Sequence, residues 1–194
     1  NTKKYAFAAD YIRLYALYHH GGIYLDSDVE ILKSLDNFLE LPYFVGAETS
    51  GTIEAAILGA EKGCDWIKCC LDYYEGRNCI REDGSYDIRM LPEILNETIL
   101  RLKPVINMPS GSNIDDLKKK DLGEAVYVLP KEYFSPKVFD SREVFLTPET
   151  HAIHHYQNSW FSHKAFAYYR TRTLFIKIFG YKAVRSLEKM LLKR

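Results

Sequence analysis

The sequence predicts an α/β domain in which strands and helices alternate along the chain. Short apolar runs typical of buried strands, such as Tyr43–Ala47 and Ala55–Gly59, are separated by stretches with the apolar spacing of helices. Such an alternation favours helices packed in layers on a sheet. The 194 residues, of which 47% are hydrophobic and 14% aromatic, suffice for one domain with a sizeable core.

The first elements meet at the stretch around which we expect the chain to be organised. A helix predicted from Tyr5 to Tyr18 ends at the glycine pair Gly21-Gly22, and a short buried strand follows at Ile23–Leu25. The strand leads directly into two acidic residues, Asp26 and Asp28. Because open α/β sheets bind ligands at the carboxyl ends of their strands, this end is the first candidate site. The apolar stripe of the helix consists of Phe7, Tyr11, Leu14, Tyr15 and Tyr18.

The remaining elements continue the alternation. We predict helices at residues 61–74 and 88–102, strands at Val105–Asn107 and Ala125–Leu129, and a polar surface loop at residues 110–121. An α/β domain normally has a strand, a helix and a second strand before such an acidic pair, whereas this sequence opens on a helix. We therefore expect a further N-terminal segment that supplies the nucleotide-binding part of the sheet.

Composition narrows the class of protein. No apolar run approaches the roughly 18 residues that span a bilayer, and no secretory leader is recognised, which favours a cytoplasmic location. The four cysteines lack paired Cys-x-x-Cys spacing, so we predict reduced structural thiols rather than zinc ligands or disulfides. They are Cys64, Cys69, Cys70 and Cys79.

The net charge is zero but is unevenly distributed. Residues 164–194 carry nine Lys and Arg against the single acid Glu188, and apolar residues alternate with these cations in two helical stretches broken near Gly180. This pattern predicts a basic amphipathic helical tail, 164–194, on a body formed by residues 1–163. Such helices either lie on an anionic membrane surface, here at the inner face, or pack on the domain with their cations solvated. The sequence leaves both open.

Asp26 and Asp28 are candidate metal ligands. Two carboxylates one residue apart, where a strand bends into a loop, can both reach one hard cation, one directly and the other through water or ribose hydroxyls. A divalent metal with a diphosphate is the natural ligand of such a site. Acidic pairs after strands also occur as solvated turns, and that alternative stays open.

A distal stretch, Thr150–Trp160, offers a third ligand. Its alternation of His with Ala or Ile predicts a strand on which His154 and His155 point to opposite faces, so only one of them can join the two aspartates. A neutral imidazole is a good third ligand for manganese. In the alternative interpretation, both are strand-end histidines satisfied by backbone or water.

Asp10 and Arg13 share one face of the first helix. As an intrahelical ion pair they would contribute only about 0.2 to 0.5 kcal/mol. If the helix instead packs beside the strand that ends at Asp26, both groups lie over a sugar or phosphate. The carboxylate would then accept hydroxyl protons and the guanidinium would bind oxygens in a fork.

Together these stretches resemble the DXD-containing sugar transferases of the glycosyltransferase family 32 type. The resemblance is carried by Ala9-Asp10-Tyr11-Ile12-Arg13, by Gly21–Val29, and by Ala152–His155 with Ser159-Trp160. It covers roughly the first 40 residues and the later His-to-Trp stretch. The family includes capsular-polysaccharide and lipo-oligosaccharide transferases, eukaryotic mannosyltransferases and, more distantly, glucosylating bacterial toxins.

The resemblance implies a GT-A fold, a Rossmann-like mixed sheet flanked by helices. It also implies a UDP- or GDP-sugar donor, Mn²⁺ or Mg²⁺, and retention of anomeric configuration. The implied activity is transfer of a hexose to a glycan or lipid-linked acceptor in cell-surface polysaccharide synthesis, with no nucleic-acid partner.

Carried over by position, the resemblance implies roles for individual residues. Asp10 and Arg13 would hold the donor sugar. Asp26 would touch both ribose and metal, and Asp28 would ligate the metal directly. His154 would complete the metal shell, with His155 as the alternative. The implied donor-binding set is Asp10, Arg13, Tyr24, Asp26, Asn158 and Trp160, and the implied catalytic set is Asp10, Arg13, Asp26 and Asp28.

Two other functions fit parts of the sequence. Asp-x-Asp after a strand also opens the signature of haloacid-dehalogenase-like phosphatases, but the charged Glu30 follows Val29 where a small apolar residue is expected. The later acidic pair, Asp115-Asp116, falls in a predicted loop. A non-catalytic module that binds nucleotide sugars is the second alternative.

Overall fold

The computed structural model describes residues 5–78, 80, 83–86, 89–138, 143–157 and 163–191. The helices are α1 (Tyr5–His20), α2 (Asp65–Asp72), α3 (Leu91–Leu102), α4 (Ile114–Lys118), α5 (His163–Phe179) and α6 (Tyr181–Leu191). The strands are β1 (Gly22–Leu25), β2 (Val29–Ile31), β3 (Tyr43–Ala47), β4 (Ile53–Ala60), β5 (Val105–Asn107), β6 (Val126–Val128) and β7 (Ala152–His154). Two 3₁₀ turns lie at Asp36–Phe38 and Lys131–Tyr133.

The strands form one three-stranded sheet and two two-stranded pairs. β1 and β3 flank β4 and pair with it antiparallel, whereas β5 and β6 pair in parallel. Leu129, which follows β6, forms a parallel bridge to Gly46 of β3, and two backbone hydrogen bonds of 2.9 Å link it to Val45 and Ala47. β2 and β7 form a separate antiparallel pair. The predicted α/β class is confirmed.

The sheet is covered on both faces, which explains why β3 and β4 are buried along their whole length. On one face, Tyr43 and Val45 pack in a cluster with the buried sides of α1, α2 and α3. On the other, Phe44 packs with side chains from both 3₁₀ turns, α4 and β7. The site described below lies where β1, at the edge of this sheet, gives way to β2.

The buried face of α1 differs from the predicted stripe. Leu14, Leu17 and the charged Arg13 are buried, whereas Tyr11 and Tyr15 are 43% and 46% exposed. A stripe read from hydropathy assigns arginine to the solvent side, but the carboxylates around Arg13 allow its burial. The two tyrosines pack on each other, with ring centroids 6.0 Å apart, at the rim of the helix contact.

Other predicted elements need correction. β1 is an edge strand rather than a buried one, with Leu25 39% exposed. The predicted loop at residues 110–121 contains α4, because the side chains of Asn113 and Asp116 form a capping box at its start. The helix predicted at residues 61–74 shortens to α2. Cys64, Cys69 and Cys70 carry free thiols as predicted. Cys79, Ile88 and the side chain of Phe7 lie outside the described residues.

Helices α5 and α6 pack against each other as a hairpin that turns at Gly180. Ile176 of α5 and Val184 of α6 are buried. Arg172 of α5 binds Glu188 of α6 with a separation of 2.6 Å between Nε and Oε1. Among the described residues, none of the helices combines the length and apolar content that crossing a bilayer requires.

Candidate active site

The path of the chain from α1 into β1 is set by Gly21. Its φ is +69°, and its N–H donates to the Leu17 carbonyl at 2.8 Å, which ends the helix. A Cβ atom at this position would lie 2.8 Å from the backbone nitrogen of Lys62. β1 therefore starts directly beside the end of α1. Asp26 follows β1, and its N–H donates to the Ala56 carbonyl of β4 at 2.9 Å.

Arg13 joins the acidic residues of α1 and β1. Its Nη2 lies 3.1 Å from Asp10 Oδ1 and 3.3 Å from Asp26 Oδ1. Its Nη1 donates to the Ala55 carbonyl at 2.7 Å. The guanidinium carbon lies 4.5 Å above the ring of Tyr24, whose hydroxyl donates to Asp26 Oδ1 at 2.6 Å. Asp10 and Arg13 thus form the intrahelical pair, and Arg13 also reaches the end of β1.

Burial affects the protonation of Asp10. Burial raises the pKa of Asp10 from 3.8 to about 6, against the attraction of Arg13, which lowers it; nearby Asp26 adds to the rise. The desolvation of this carboxylate thus outweighs its ion pair. A hydroxyl-rich ligand that donates hydrogen bonds to Asp10 would favour the ionised form.

The two aspartates and one histidine converge at the turn between β1 and β2. One ligand atom each from Asp26, Asp28 and His154 lie within 4.8 Å of one another. The shortest described approach of His154 to Asp28 joins Nε2 and Oδ2 at 3.5 Å, and Oδ2 also accepts from the N–H of Gln157 at 2.8 Å. The antiparallel pairing of Val29 with His154 produces this proximity across 126 residues of sequence.

His155 lies on the other side of the strand end. Its Nε2 is 2.7 Å from Glu30 Oε2, and Lys137 Nζ is 3.3 Å from its Nδ1. Its backbone N–H donates to the Asp28 carbonyl at 2.9 Å. Of the two histidines left open by the sequence, His154 is the one whose ring joins the aspartates, because successive strand residues face opposite ways.

Glu54 is a buried residue of the site that the sequence analysis missed. It lies on β4, is 3% exposed, and its Oε2 is 3.1 Å from His154 Nδ1. The signal was present: Glu54 is the single charged residue of the otherwise apolar strand Ile53–Ala60. A buried carboxylate in such a strand needs hydrogen-bond partners, and His154 is one of them.

Glu54 and His154 shift each other's pKa. Burial raises the pKa of Glu54, but hydrogen bonds, above all from His154, outweigh it and hold the pKa below its usual value. Burial lowers the pKa of His154, yet the carboxylates of Glu54, Asp28 and Asp26 raise it above its usual value overall. The surroundings of this ring therefore favour positive charge.

Two residues of the predicted donor-binding set, Asn158 and Trp160, lie outside the described residues. The same holds for Ser159 of the His-to-Trp stretch. Their predicted positions near the diphosphate stay predictions.

Comparison with known families agrees with this geometry at the N-terminal part of the chain. Residues 1–45, which include Asp10, Arg13, Asp26 and Asp28, match the family described as "Glycosyltransferase sugar-binding region containing DXD motif". This part of the chain is therefore similar to the sugar-binding region of DXD-motif glycosyltransferases.

Curated relatives match short parts of the chain. The chain is 38% identical over 65 residues to Glucan organizing enzyme 1 of Cryptococcus neoformans, covering 34% of this chain and 18% of that protein. It is 40% identical over 55 residues to Inositol phosphoceramide mannosyltransferase 3 of Schizosaccharomyces pombe, covering 28% and 15%. An uncharacterised protein of Arabidopsis thaliana is 31% identical over 80 residues, covering 40% and 12%. The chain thus matches less than a fifth of the length of each of these relatives. No solved structure gives a significant match.

DXD-motif glycosyltransferases generally bind a divalent cation, and the residues present here fit one. Carboxylate oxygens are the ligands that Mg²⁺ prefers, and Mn²⁺ accepts carboxylate and imidazole together. Asp26, Asp28 and His154 supply this set within one cluster. The excess of negative charge at Asp26 and Asp28 over the nearby Arg13 would be offset by a bound cation.

Proposed function

We propose that this chain is part of a metal-dependent retaining glycosyltransferase with a GT-A fold. It would transfer a hexose from a UDP- or GDP-sugar to a glycan or lipid-linked acceptor in cell-surface polysaccharide synthesis. One observation carries the proposal: ligand atoms of Asp26, Asp28 and His154 lie within 4.8 Å of one another, and Arg13 bridges this cluster to Asp10.

The donor would be held by residues on both sides of Arg13. Asp10 would accept hydrogen bonds from sugar hydroxyls, and Arg13 would donate to oxygens of the sugar or the diphosphate. Arg13 Nε is buried and, among the described residues, has no hydrogen-bond partner, so the guanidinium retains a donor to offer. Asp26, Asp28 and His154 would hold Mn²⁺ or Mg²⁺ beside the diphosphate. When bound, such an ion supplies Lewis-acid stabilisation of the charge that grows on the β-phosphate.

Transfer with retention is proposed to follow a front-face route. The bond from the anomeric carbon to the diphosphate oxygen breaks, and its electron pair stays on the diphosphate. The acceptor hydroxyl oxygen bonds to the same face of the anomeric carbon, and its proton passes to the departing diphosphate. Arg13 would stabilise the charge of the leaving group, and no protein base is required.

The front-face route has a direct test against a covalent alternative. Mass spectrometry of the intact protein after incubation with donor and metal is expected to show no added hexose. A hexose adduct on Asp10, the carboxylate proposed to bind the donor sugar, would overturn the route and assign a double displacement.

The acceptor is proposed to be presented at an anionic membrane surface on which the α5–α6 hairpin lies. Arg170, Lys177, Lys182 and Arg185 of the hairpin are exposed. The one acid in its sequence, Glu188, is paired with Arg172. Large apolar side chains of the hairpin are 45% to 62% exposed. They are Leu174, Phe175, Ile178, Phe179, Leu187 and Met190. Basic residues beside exposed apolar ones complement anionic lipid headgroups above acyl chains.

The proposed activity is tested by assaying full-length protein against a panel of UDP- and GDP-sugars with and without Mn²⁺. Metal-dependent release of UDP or GDP is expected for wild type and is expected to be lost in Asp28→Asn. The matched control is Asp115→Asn, an exposed aspartate of α4. Release of phosphate from a phosphomonoester would instead indicate a phosphatase. If neither a nucleoside diphosphate nor phosphate is released, the chain is a non-catalytic binding module.

A further inference from the structure

The contact between Glu54 and His154 carries an inference that rests on the metal-dependent function proposed above. We propose that Glu54 is a positioning residue. It fixes the His154 ring so that Nε2 faces the cation site beside Asp28. Neither the family region, which ends at residue 45, nor the sequence pattern assigns it a role.

The Glu54 carboxylate is held in one orientation by several donors. Oε1 accepts from the N–H of Ala56 at 2.9 Å. Oε2 accepts from Ser135 Oγ at 2.7 Å and from the Tyr156 hydroxyl at 3.2 Å. Because both oxygens are engaged and the side chain is 3% exposed, Glu54 cannot swing to solvent without leaving buried groups unpaired.

This fixed carboxylate determines which nitrogen of His154 carries a proton. An ionised carboxylate only accepts, so Nδ1, at 3.1 Å from Glu54 Oε2, must donate. In the neutral ring, Nε2 is then left with a lone pair 3.5 Å from Asp28 Oδ2. A cation bound between Nε2 and Asp28 Oδ2 would take the place of any proton on Nε2 and satisfy both acceptors. Carboxylates that bond the second nitrogen of a metal-ligating histidine act in this way.

The ring of His154 is held on other sides as well. The Tyr156 ring packs against it with centroids 4.0 Å apart, and the His154 N–H donates to the Phe134 carbonyl at 3.1 Å. Tyr156 has φ +51°, a left-handed conformation rare for a residue with a side chain. Surrounding contacts must stabilise this conformation, and its hydroxyl bond to Glu54 is one of them.

Packing of the strand alone does not require a charged residue at position 54. β4 is central in the sheet and apolar, so an uncharged residue at position 54 would fill it at lower desolvation cost. The hydroxyl groups of Ser135 and Tyr156 can also donate to a neutral acceptor. The charge at position 54 is of use mainly to the imidazole.

The test measures Mn²⁺ affinity by calorimetry in the full chain. Glu54→Gln keeps the size of the side chain, and its affinity is expected to fall about 10- to 100-fold. Glu93→Gln is the matched control, since it makes the same substitution at an exposed position of α3, and its affinity is expected to stay close to that of wild type. Unchanged affinity in Glu54→Gln, or an equal loss in Glu93→Gln, would overturn the inference.

A second measurement does not depend on a folded variant. In wild-type protein, the ring nitrogens of neutral His154 are expected to show the proton on Nδ1 by ¹⁵N nuclear magnetic resonance; a proton on Nε2 contradicts the inference. Failure of the two proposals can be separated. If wild type binds no Mn²⁺, the proposed function fails and the role of Glu54 with it. If wild type binds and Glu54→Gln binds equally well, only the role of Glu54 fails.

Discussion

Arg13 is the residue that connects the two parts of the site. It is a buried cation whose neighbours come from α1, from the end of β1 and from the backbone of β4. A buried charge is tolerated only with such compensation, so the carboxylates that suit a donor sugar and a metal also keep Arg13 inside. Folding and site geometry therefore depend on the same side chain.

Replacing Arg13 should cost stability. In Arg13→Ala, Asp10 and Asp26 lose their shared cation, and we expect the free energy of unfolding to fall by about 3 kcal/mol or more. Urea denaturation of the metal-free protein measures the change. The control is Arg101→Ala, which removes a 75% exposed arginine from its ion pair with Glu97 and should cost less than about 1 kcal/mol. Equal costs would mean that Arg13 is not held as described.

Asp10 should make stability depend on pH in a definite direction. Its pKa of about 6 in the folded protein exceeds the 3.8 of an unperturbed aspartate, so between these values the folded state binds more protons than the unfolded state. The contribution of Asp10 to stability is therefore present below about pH 4 and is lost as the pH rises through 6. Urea denaturation across this range should show a smaller decline in Asp10→Asn than in wild type. Parallel curves would contradict the raised pKa.

The site was predictable from sequence only where its residues form local patterns. The spacing of Asp10 and Arg13 on a helix and of Asp26 and Asp28 after a strand is visible without coordinates. The choice between His154 and His155 is not, because strand alternation separates the two but does not say which faces the aspartates. Glu54 escaped because its partner His154 is 100 residues away.

At the scale of elements, the turn from α1 to β1 aligns the helix residues with the strand end. Gly21 meets two requirements there: a positive φ and an approach to the backbone of Lys62 that leaves no room for a side chain. The helix and the strand share this single junction. A displacement at Gly21 would therefore move Asp10 and Arg13 relative to Asp26.

Two glycine substitutions distinguish the cost of a left-handed backbone conformation from the cost of a steric clash. Gly63→Ala, at φ +80° with nothing within 4 Å of the new Cβ, should cost only the left-handed conformation, on the order of 1 kcal/mol. Gly21→Ala adds a contact of 2.8 Å with backbone and should cost clearly more. Thermal unfolding of both variants compares them. A Gly21→Ala variant no less stable than Gly63→Ala would contradict the described junction.

Element boundaries followed the sequence where local pattern and tertiary packing agree. β3 begins and ends as predicted because it is buried on both faces and reads as a continuous apolar run. β4 extends beyond the predicted strand because the pattern was broken by Glu54, whose charge is compensated only in the folded protein. α4 was missed because five residues carry little periodicity, and its start depends on side-chain caps.

The whole molecule combines an acidic body with a basic helical hairpin. Of the 26 basic residues, nine lie between Lys164 and Arg194, whereas Glu188 is the sole acid of that segment. Charge of one sign beside exposed apolar side chains would orient the chain on an anionic surface. The predicted division into a body, 1–163, and a tail, 164–194, stays a prediction.

Charge reversal tests the membrane contact. In the double variant Lys177→Glu and Lys182→Glu, co-sedimentation with phosphatidylserine-containing vesicles should weaken on the order of 30-fold or more, since each cation near the surface contributes about 1 kcal/mol. The control reverses Lys119 and Lys120, exposed lysines at the end of α4, and should bind like wild type. Equal binding by both double variants would contradict the contact. If wild type self-associates in the absence of vesicles and the hairpin variant does not, the hairpin binds a second copy of the chain instead of a membrane.

The most direct test of the central claim is calorimetric titration of Mn²⁺ into the protein in the presence of UDP or GDP. We predict saturable binding at a single site in wild type and in Asp115→Asn, and its loss in both Asp28→Asn and His154→Ala. Absence of binding in wild type, or undiminished binding in the Asp28 and His154 variants, would contradict a cation site formed by these residues.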